Sequence, residues 1–282
     1  MDIKRVARAL FIALRRFHKQ DGLALSSHVA LSLMLAIFPF TIFALSLGSQ
    51  LSSTVESENI MQLLFGNWPD VVAEPIEREL RAVLAQGNSQ TLTFGALMTM
   101  FFASNGAEAV RLAITRAYGE VDTRPYWRKR LLCIGFVLAG AVSITVVTVL
   151  LVLIPLYFAY FQDMVPIPEE WLSIFNSTPL RFAIAVVPIV AAVLAVNSLL
   201  TQTRRPISVI WPGAVLTIFA WAIFGQAFSY YLGHFARYSV TYAGLAGVMS
   251  GLIFLYLSAA ILIIGATFNS ALMDLKQEAK IA

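Results

Sequence analysis

The 282 residues carry only 13% charged side chains against 59% hydrophobic ones, where a soluble domain has roughly a quarter of its residues charged. A soluble globular domain is excluded, and so is a disulfide-stapled or cysteine-ligated zinc fold, because Cys133 is the single cysteine and lies in an apolar run. The net charge of +4 is not by itself a sign of nucleic acid, since it follows where the basic residues fall along the chain.

Residues 1–22 predict a cytoplasmic interfacial helix: Ile3, Val6, Ala7, Leu10, Phe11, Leu14 and Phe17 form one stripe, and Lys4, Arg5, Arg8, Arg15, Arg16 and Lys19 fill the rest. The bases at 15, 16 and 19 interrupt the hydrophobic core that a signal peptide needs, and Asp21-Gly22 ends the helix. A first transmembrane helix is predicted over 24–50, with Pro39 in its middle. Residues 56–90 differ in kind. Six acids face only Arg78 and Arg81, and Ile76, Leu80, Val83 and Leu84 make a stripe, which predicts an amphipathic outer cap.

The second span, 91–115, is the most polar, with Asn105, Glu108 and Arg111 three residues apart on slowly turning positions of one helix. A basic cytoplasmic loop is expected over 116–130, containing Arg124, Arg128, Lys129 and Arg130. Third, fourth and fifth spans follow over 131–160 with Pro155, 180–203 with Pro188, and 208–232 entered through Pro212-Gly213. An acidic outer loop with Asp163, Glu169 and Glu170 separates the third from the fourth. The sixth span, 242–272, belongs to a stretch without charge from Tyr238 to Met273; Gly244, Gly247, Gly251 and Gly265 give it small-residue faces for close helix packing. With both termini inside, inner segments hold 16 of the 20 Lys and Arg, as the positive-inside rule asks.

The expectation is therefore an all-α, polytopic bundle of six transmembrane helices in a single integral membrane domain. Gly95-Ala96-Leu97 opens the second span and Gly213-Ala214-Val215 the fifth, while Phe38-Pro39 and Val187-Pro188 sit in the first and fourth. Three spans per half suggests a 3+3 inverted repeat, with the outer cap as an insertion in the first half.

The ordered set Phe38-Pro39, Ser104-Asn105-Gly106, Arg116-Ala117-Tyr118, Trp211-Pro212-Gly213-Ala214, Tyr242-Ala243-Gly244-Leu245-Ala246-Gly247, Leu255-Tyr256 and Gly265-Ala266 with Asn269 resembles the YihY/BrkB membrane family, once labelled ribonuclease BN. The resemblance covers nearly the whole chain. It departs where relatives commonly have Trp and this chain has Phe254, and where they have an acid and this chain has Thr267. It implies a bacterial inner-membrane protein of transporter-like character with no settled substrate.

Among candidate chemistries, a nuclease needs converging carboxylates or histidines, and His18, His28 and His234 lie far apart with no ligand spacing between them. No nucleic-acid partner is expected. Polar groups at membrane depth carry the transporter reading: Asn105, Glu108, Arg111, Asn197, Gln226 and Asn269 are candidates for a polar cavity, against the plainer account of helix–helix hydrogen bonds. Arg124, Arg128, Lys129 and Arg130 are candidates for a head-group rim. The chain has no GxxxxGK[ST] loop, so a transporter or flippase for a lipid or other amphiphile would work without ATP or any other cofactor. A small-solute carrier and a non-transporting, self-associating scaffold are the alternatives. The expected partners are membrane lipids and further copies of the chain.

Overall fold

The computed structural model describes residues 3–51, 89–153, 177–235 and 243–281. They form seven α-helices and no strand among the described residues. These are α1 (Ile3–Lys19), α2 (Gly22–Leu51), α3 (Ser89–Ala117), α4 (Tyr126–Thr148), α5 (Thr178–Leu199), α6 (Ile207–Phe235) and α7 (Ala243–Ile281). A π-type turn, Val149–Leu153, extends α4. The cap expected over 56–90 lies outside the described residues except for its last two, which open α3. The outer loop with Asp163, Glu169 and Glu170, and Pro155, lie outside as well.

Long runs without charge become helices because a backbone in hydrocarbon must close its own hydrogen bonds. Five helices are long and apolar enough to cross a membrane: α2, α4, α5, α6 and α7. Pro39, Pro188 and Pro212 are all carried inside continuous helices. Large side chains such as Phe38 (74% exposed), Ile144 (70%) and Phe182 (68%) point outward, an apolar surface that water would not tolerate over several helices. The 29 residues of α3 are long enough to cross at about 1.5 Å per residue, but its last turns carry Glu108, Arg111 and Arg116.

The core is made largely of small residues. Ala109, Ala113 and Ala117 of α3 meet Leu25 and Val29 of α2, Val193 and Val196 of α5, and Ala259, Ala260 and Ile263 of α7. Asp21, with φ of 55°, makes the turn that folds α1 back from α2, and a Cβ on Gly22 would lie 2.3 Å from the Phe17 ring. The face of α1 that packs on protein is Ala9, Ala13 and Phe17, the first two against Phe268, Ala271, Leu272 and Leu275 of α7. Leu10, Phe11 and Leu14, expected on one stripe with Phe17, turn outward. The helix thus has two apolar faces, one on the bundle and one free.

One boundary is corrected. The residues of the basic loop from Tyr126 to Arg130 belong to the first turns of α4, which starts right after Pro125, a residue whose extended backbone ends the preceding loop. Of the glycines expected to pack helices, Gly213 and Gly265 make the close contact within the chain, and Gly247 and Gly251 do not. A Cβ on Gly247 would meet nothing within 4 Å, and one on Gly251 only Met34 at 3.9 Å. At Gly213 and Gly265 the backbones of α6 and α7 touch: a Cβ on Gly213 would lie 2.2 Å from the Gly265 carbonyl oxygen. The surroundings of Gly244 fall outside the described residues.

Candidate functional site

The polar side chains gather at one end of the bundle, where α3, α5, α6 and α7 meet the 118–125 and 200–206 connections. The C-terminus of α3 sets up the first part. Gly119 takes φ of +69°, its N–H bonds the Arg116 carbonyl at 2.8 Å, and the Glu120 N–H bonds the Thr115 carbonyl at 3.0 Å. This left-handed glycine cap satisfies the last carbonyls and turns the chain back along the helix. The turn brings Asp122 to Arg111.

Arg111, with 4% of its side chain exposed, donates from Nε to Glu108 Oε2 at 2.8 Å, from Nη2 to Glu108 Oε1 at 2.6 Å, and from Nη1 to Asp122 Oδ2. Arg124 closes the other side of Asp122, donating from Nε to Oδ1 at 2.9 Å and from Nη2 to Oδ2 at 2.8 Å, and also reaches the Leu200 carbonyl at 2.9 Å. The cluster is neutral, two guanidinium groups against two carboxylates, which is how buried charge is tolerated. Burial alone would push the Asp122 carboxyl up, but the hydrogen bonds from Arg124 and the charges of Arg124 and Arg111 outweigh it and hold it below the usual carboxylate range. The thiol of Cys133, fully buried on α4, donates to Glu108 Oε2 at 3.2 Å. Arg130 donates to Asn105 Oδ1 at 2.6 Å and lies 5.2 Å from the centre of the Phe101 ring.

The second part is built of amides. Pro212 has no N–H, which opens the hydrogen-bond ladder of α6 near its start. Asn269 of α7 enters there: its Oδ1 accepts from the Gly213 N–H at 2.7 Å and its Nδ2 donates to the Ile210 carbonyl at 2.8 Å. Nδ2 also reaches the Tyr118 hydroxyl at 3.3 Å, and that hydroxyl donates to Asn197 Oδ1 of α5 at 2.8 Å. Burial drives the Tyr118 phenol up to about 12, partly offset by the Asn269 bond and the Arg205 charge. Arg205 lies with its guanidinium carbon 3.8 Å from the centre of the Tyr118 ring and donates to Glu120 Oε1 at 2.6 Å.

Of the six residues expected to share a polar cavity, Glu108 and Arg111 join the ionic cluster, Asn105 pairs with Arg130 beside it, and Asn197 and Asn269 join the amide network. Gln226 is exposed on α6, away from both. None of the six lines either of two pockets. One, of about 300 Å³, lies between α2 and α7 and is lined by Ser27, Ala30, Leu31, Leu252, Ile253 and Tyr256. The other, of about 190 Å³, lies between α1, α6 and α7. Of the four residues expected at a head-group rim, Arg124 is held inside the ionic cluster, Arg130 is paired with Asn105, Arg128 lies 5.0 Å from the Trp127 ring, and Lys129 is half-buried. Sequence reasoning missed Asp122, Glu120 and Arg205 as partners; the one local signal was the glycine after Tyr118, which marks a helix end and a reversal.

The arrangement ties helices together. Among the described residues no group of three His, Cys, Asp or Glu side chains converges as metal ligands would.

Comparison with known proteins fits this architecture. The chain is 26% identical over 262 residues to the ribonuclease-like protein YfkH of Bacillus subtilis (strain 168), covering 93% of this chain and 94% of the relative. No solved structure matches it. The family model described as virulence factor BrkB matches residues 13–281, and with its several apolar spanning helices the chain belongs to that family as a multi-pass membrane protein.

Proposed function

We propose that the protein is a transporter or flippase that moves a lipid or other amphiphile across the bacterial inner membrane without hydrolysing nucleotide. In this reading α3 is a sixth span beside the five apolar ones, both termini are cytoplasmic, and the polar clusters lie at the cytoplasmic end. The observation that carries the proposal is the pocket between α2 and α7. Its volume, about 300 Å³, is at the lower end of small-molecule sites, which run from about 300 to 1,000 Å³. Its lining is aliphatic, with one hydroxyl from Ser27 and one phenol from Tyr256. Such a wall suits an acyl chain and offers nothing to hold a charged solute. The bases that set the topology give the same end of the bundle an attraction for anionic head groups. A 3+3 inverted repeat would supply the alternating motion.

A non-transporting scaffold is the second reading, favoured by one observation: the buried amides Asn197 and Asn269 are closed on each other through Tyr118. Translocation of a labelled phospholipid in proteoliposomes separates the two. Wild-type protein should move lipid above empty liposomes, and Ser27→Trp and Ile253→Trp, which fill the pocket from exposed positions, should slow it several-fold. No movement by folded wild type would end the lipid-transport reading and leave a small-solute carrier or a scaffold. Wild-type rates in both variants would place the route elsewhere in the bundle.

A further inference from the structure

We propose that the pocket between α1, α6 and α7 binds the phosphate head group of an anionic lipid. The pocket, about 190 Å³, is lined by Arg5 of α1, Trp211 and Pro212 of α6, and Leu272, Met273 and Lys276 of α7, so its wall has two cations and no acid. A comparison within α1 shows what is missing. Arg5 and Arg16 are eleven residues apart, about three helical turns, and share one edge of the helix. Arg16 meets Asp274 at 2.6 Å and Ser270 at 3.4 Å. Among the described residues Arg5 has no such partner, and its Nη2 is buried without an acceptor. A buried guanidinium N–H left unsatisfied is costly, and a phosphate oxygen is the acceptor that Arg5 and Lys276 together fit.

The surroundings select a lipid over free phosphate. Beside the two bases the pocket is walled by apolar Val209, Leu272 and Met273, and by Trp211, which is 50% exposed there. A basic amphipathic helix with an outward apolar face lies in the plane of the membrane interface, and tryptophan favours the same depth. A head group seated between Arg5 and Lys276 has Trp211, Leu272 and Met273 beside it to meet the start of its acyl chains. Inorganic phosphate would gain only the charges. The site differs from the basic residues of α4, and it holds whether or not the bundle moves lipid.

The test is thermal unfolding of the purified full chain in non-ionic detergent, titrated with dioleoylphosphatidylglycerol, dioleoylphosphatidylcholine or inorganic phosphate. Phosphatidylglycerol should raise the melting temperature by several degrees, phosphatidylcholine by less, and phosphate at equal concentration not at all. In Arg5→Gln/Lys276→Gln the apparent affinity for phosphatidylglycerol should fall about 30-fold, taking the usual contribution of a juxtamembrane base for each residue. Lys4→Gln/Arg8→Gln removes the same charge from exposed positions that do not line the pocket, and should lose clearly less than the pocket pair, because it removes only general attraction and no hydrogen bond to the phosphate. Should the first double variant not fold, Lys276→Gln alone, at an exposed position, should lose about fivefold. Wild-type affinity in the pocket variants, or an equal loss in the exposed-face variant, would overturn the site. A full shift from inorganic phosphate would overturn its assignment to lipid.

Discussion

The two sides of α7 are built on opposite principles. Toward α6 the helices touch backbone to backbone at Gly213 and Gly265, Asn269 bonds the opened start of α6, and Trp221 donates to the Ser258 carbonyl at 3.0 Å. Phe254 lies 5.5 Å from the Phe224 ring and 5.2 Å from the Phe228 ring. Toward α2 the same helix leaves about 300 Å³ unfilled, and Gly251 comes no closer to Met34 than 3.9 Å, measured from a notional Cβ. One interface is specified by directional bonds and steric exclusion, the other by loose apolar contact. In lipid, where apolar surface gains little by leaving the solvent, close contact and hydrogen bonds are what make a helix pair specific.

The strongest way to break this contrast is to add a side chain on each side. Gly265→Val places a Cβ 2.0 Å from Thr217 Oγ1 and 2.8 Å from the Gly213 carbonyl oxygen, and should cost more than about 4 kcal/mol, seen as loss of a monodisperse peak on size exclusion. Gly251→Val, facing only the flexible end of Met34, should fold and melt within about 1 kcal/mol of wild type. Equal behaviour of the two would remove the distinction. Asn269→Ala comes next. It leaves the Gly213 N–H and the Ile210 carbonyl without their side-chain partner and should lower stability by about 2–4 kcal/mol in a thermal melt.

Acid should loosen the tied end in a measurable window. The folded pKa of Asp122 is depressed, so its contribution is fully present above the ordinary carboxylate pKa and is lost as pH falls through the lower folded value. The melting temperature should hold from pH 7 to about pH 5 and decline below about pH 4, and Asp122→Asn should flatten that part of the profile. A decline of the same size in the variant would assign the acid sensitivity to other carboxylates. The smallest effect sharpens the comparison from the open side: Gly247→Ala, with nothing near its Cβ, should raise stability by about 0.5–1 kcal/mol.

How much of this was legible in the sequence depends on the distance over which residues meet. The all-helical character was plain, because uncharged runs such as the one before Asp274 admit no other backbone in lipid. The Glu108–Arg111 pair was legible too, since i,i+3 spacing on a helix brings the ends of the two side chains together. The rest of the cluster was not. Tyr118 meets Asn197 across 79 residues and Asn269 across 151, and no local pattern announces either. Small residues singled out Gly213, Gly247, Gly251 and Gly265 alike, and the close approach comes at Gly213 and Gly265, because composition marks the positions that could pack and only the partner decides which of them are used. The amphipathic stripe of α1 likewise could not say that Ala9 and Ala13 would go to protein and Phe11 would turn outward.

The buried thiol of Cys133 turns the polar end into its own reporter. It is the one cysteine of the chain, it has no exposed surface, and it is held against Glu108 between α3 and α4. A maleimide cannot reach it while those helices stay together, so the rate of labelling in membranes counts the openings of the α3–α4 seam in the unmodified protein, with no second thiol to blur the signal.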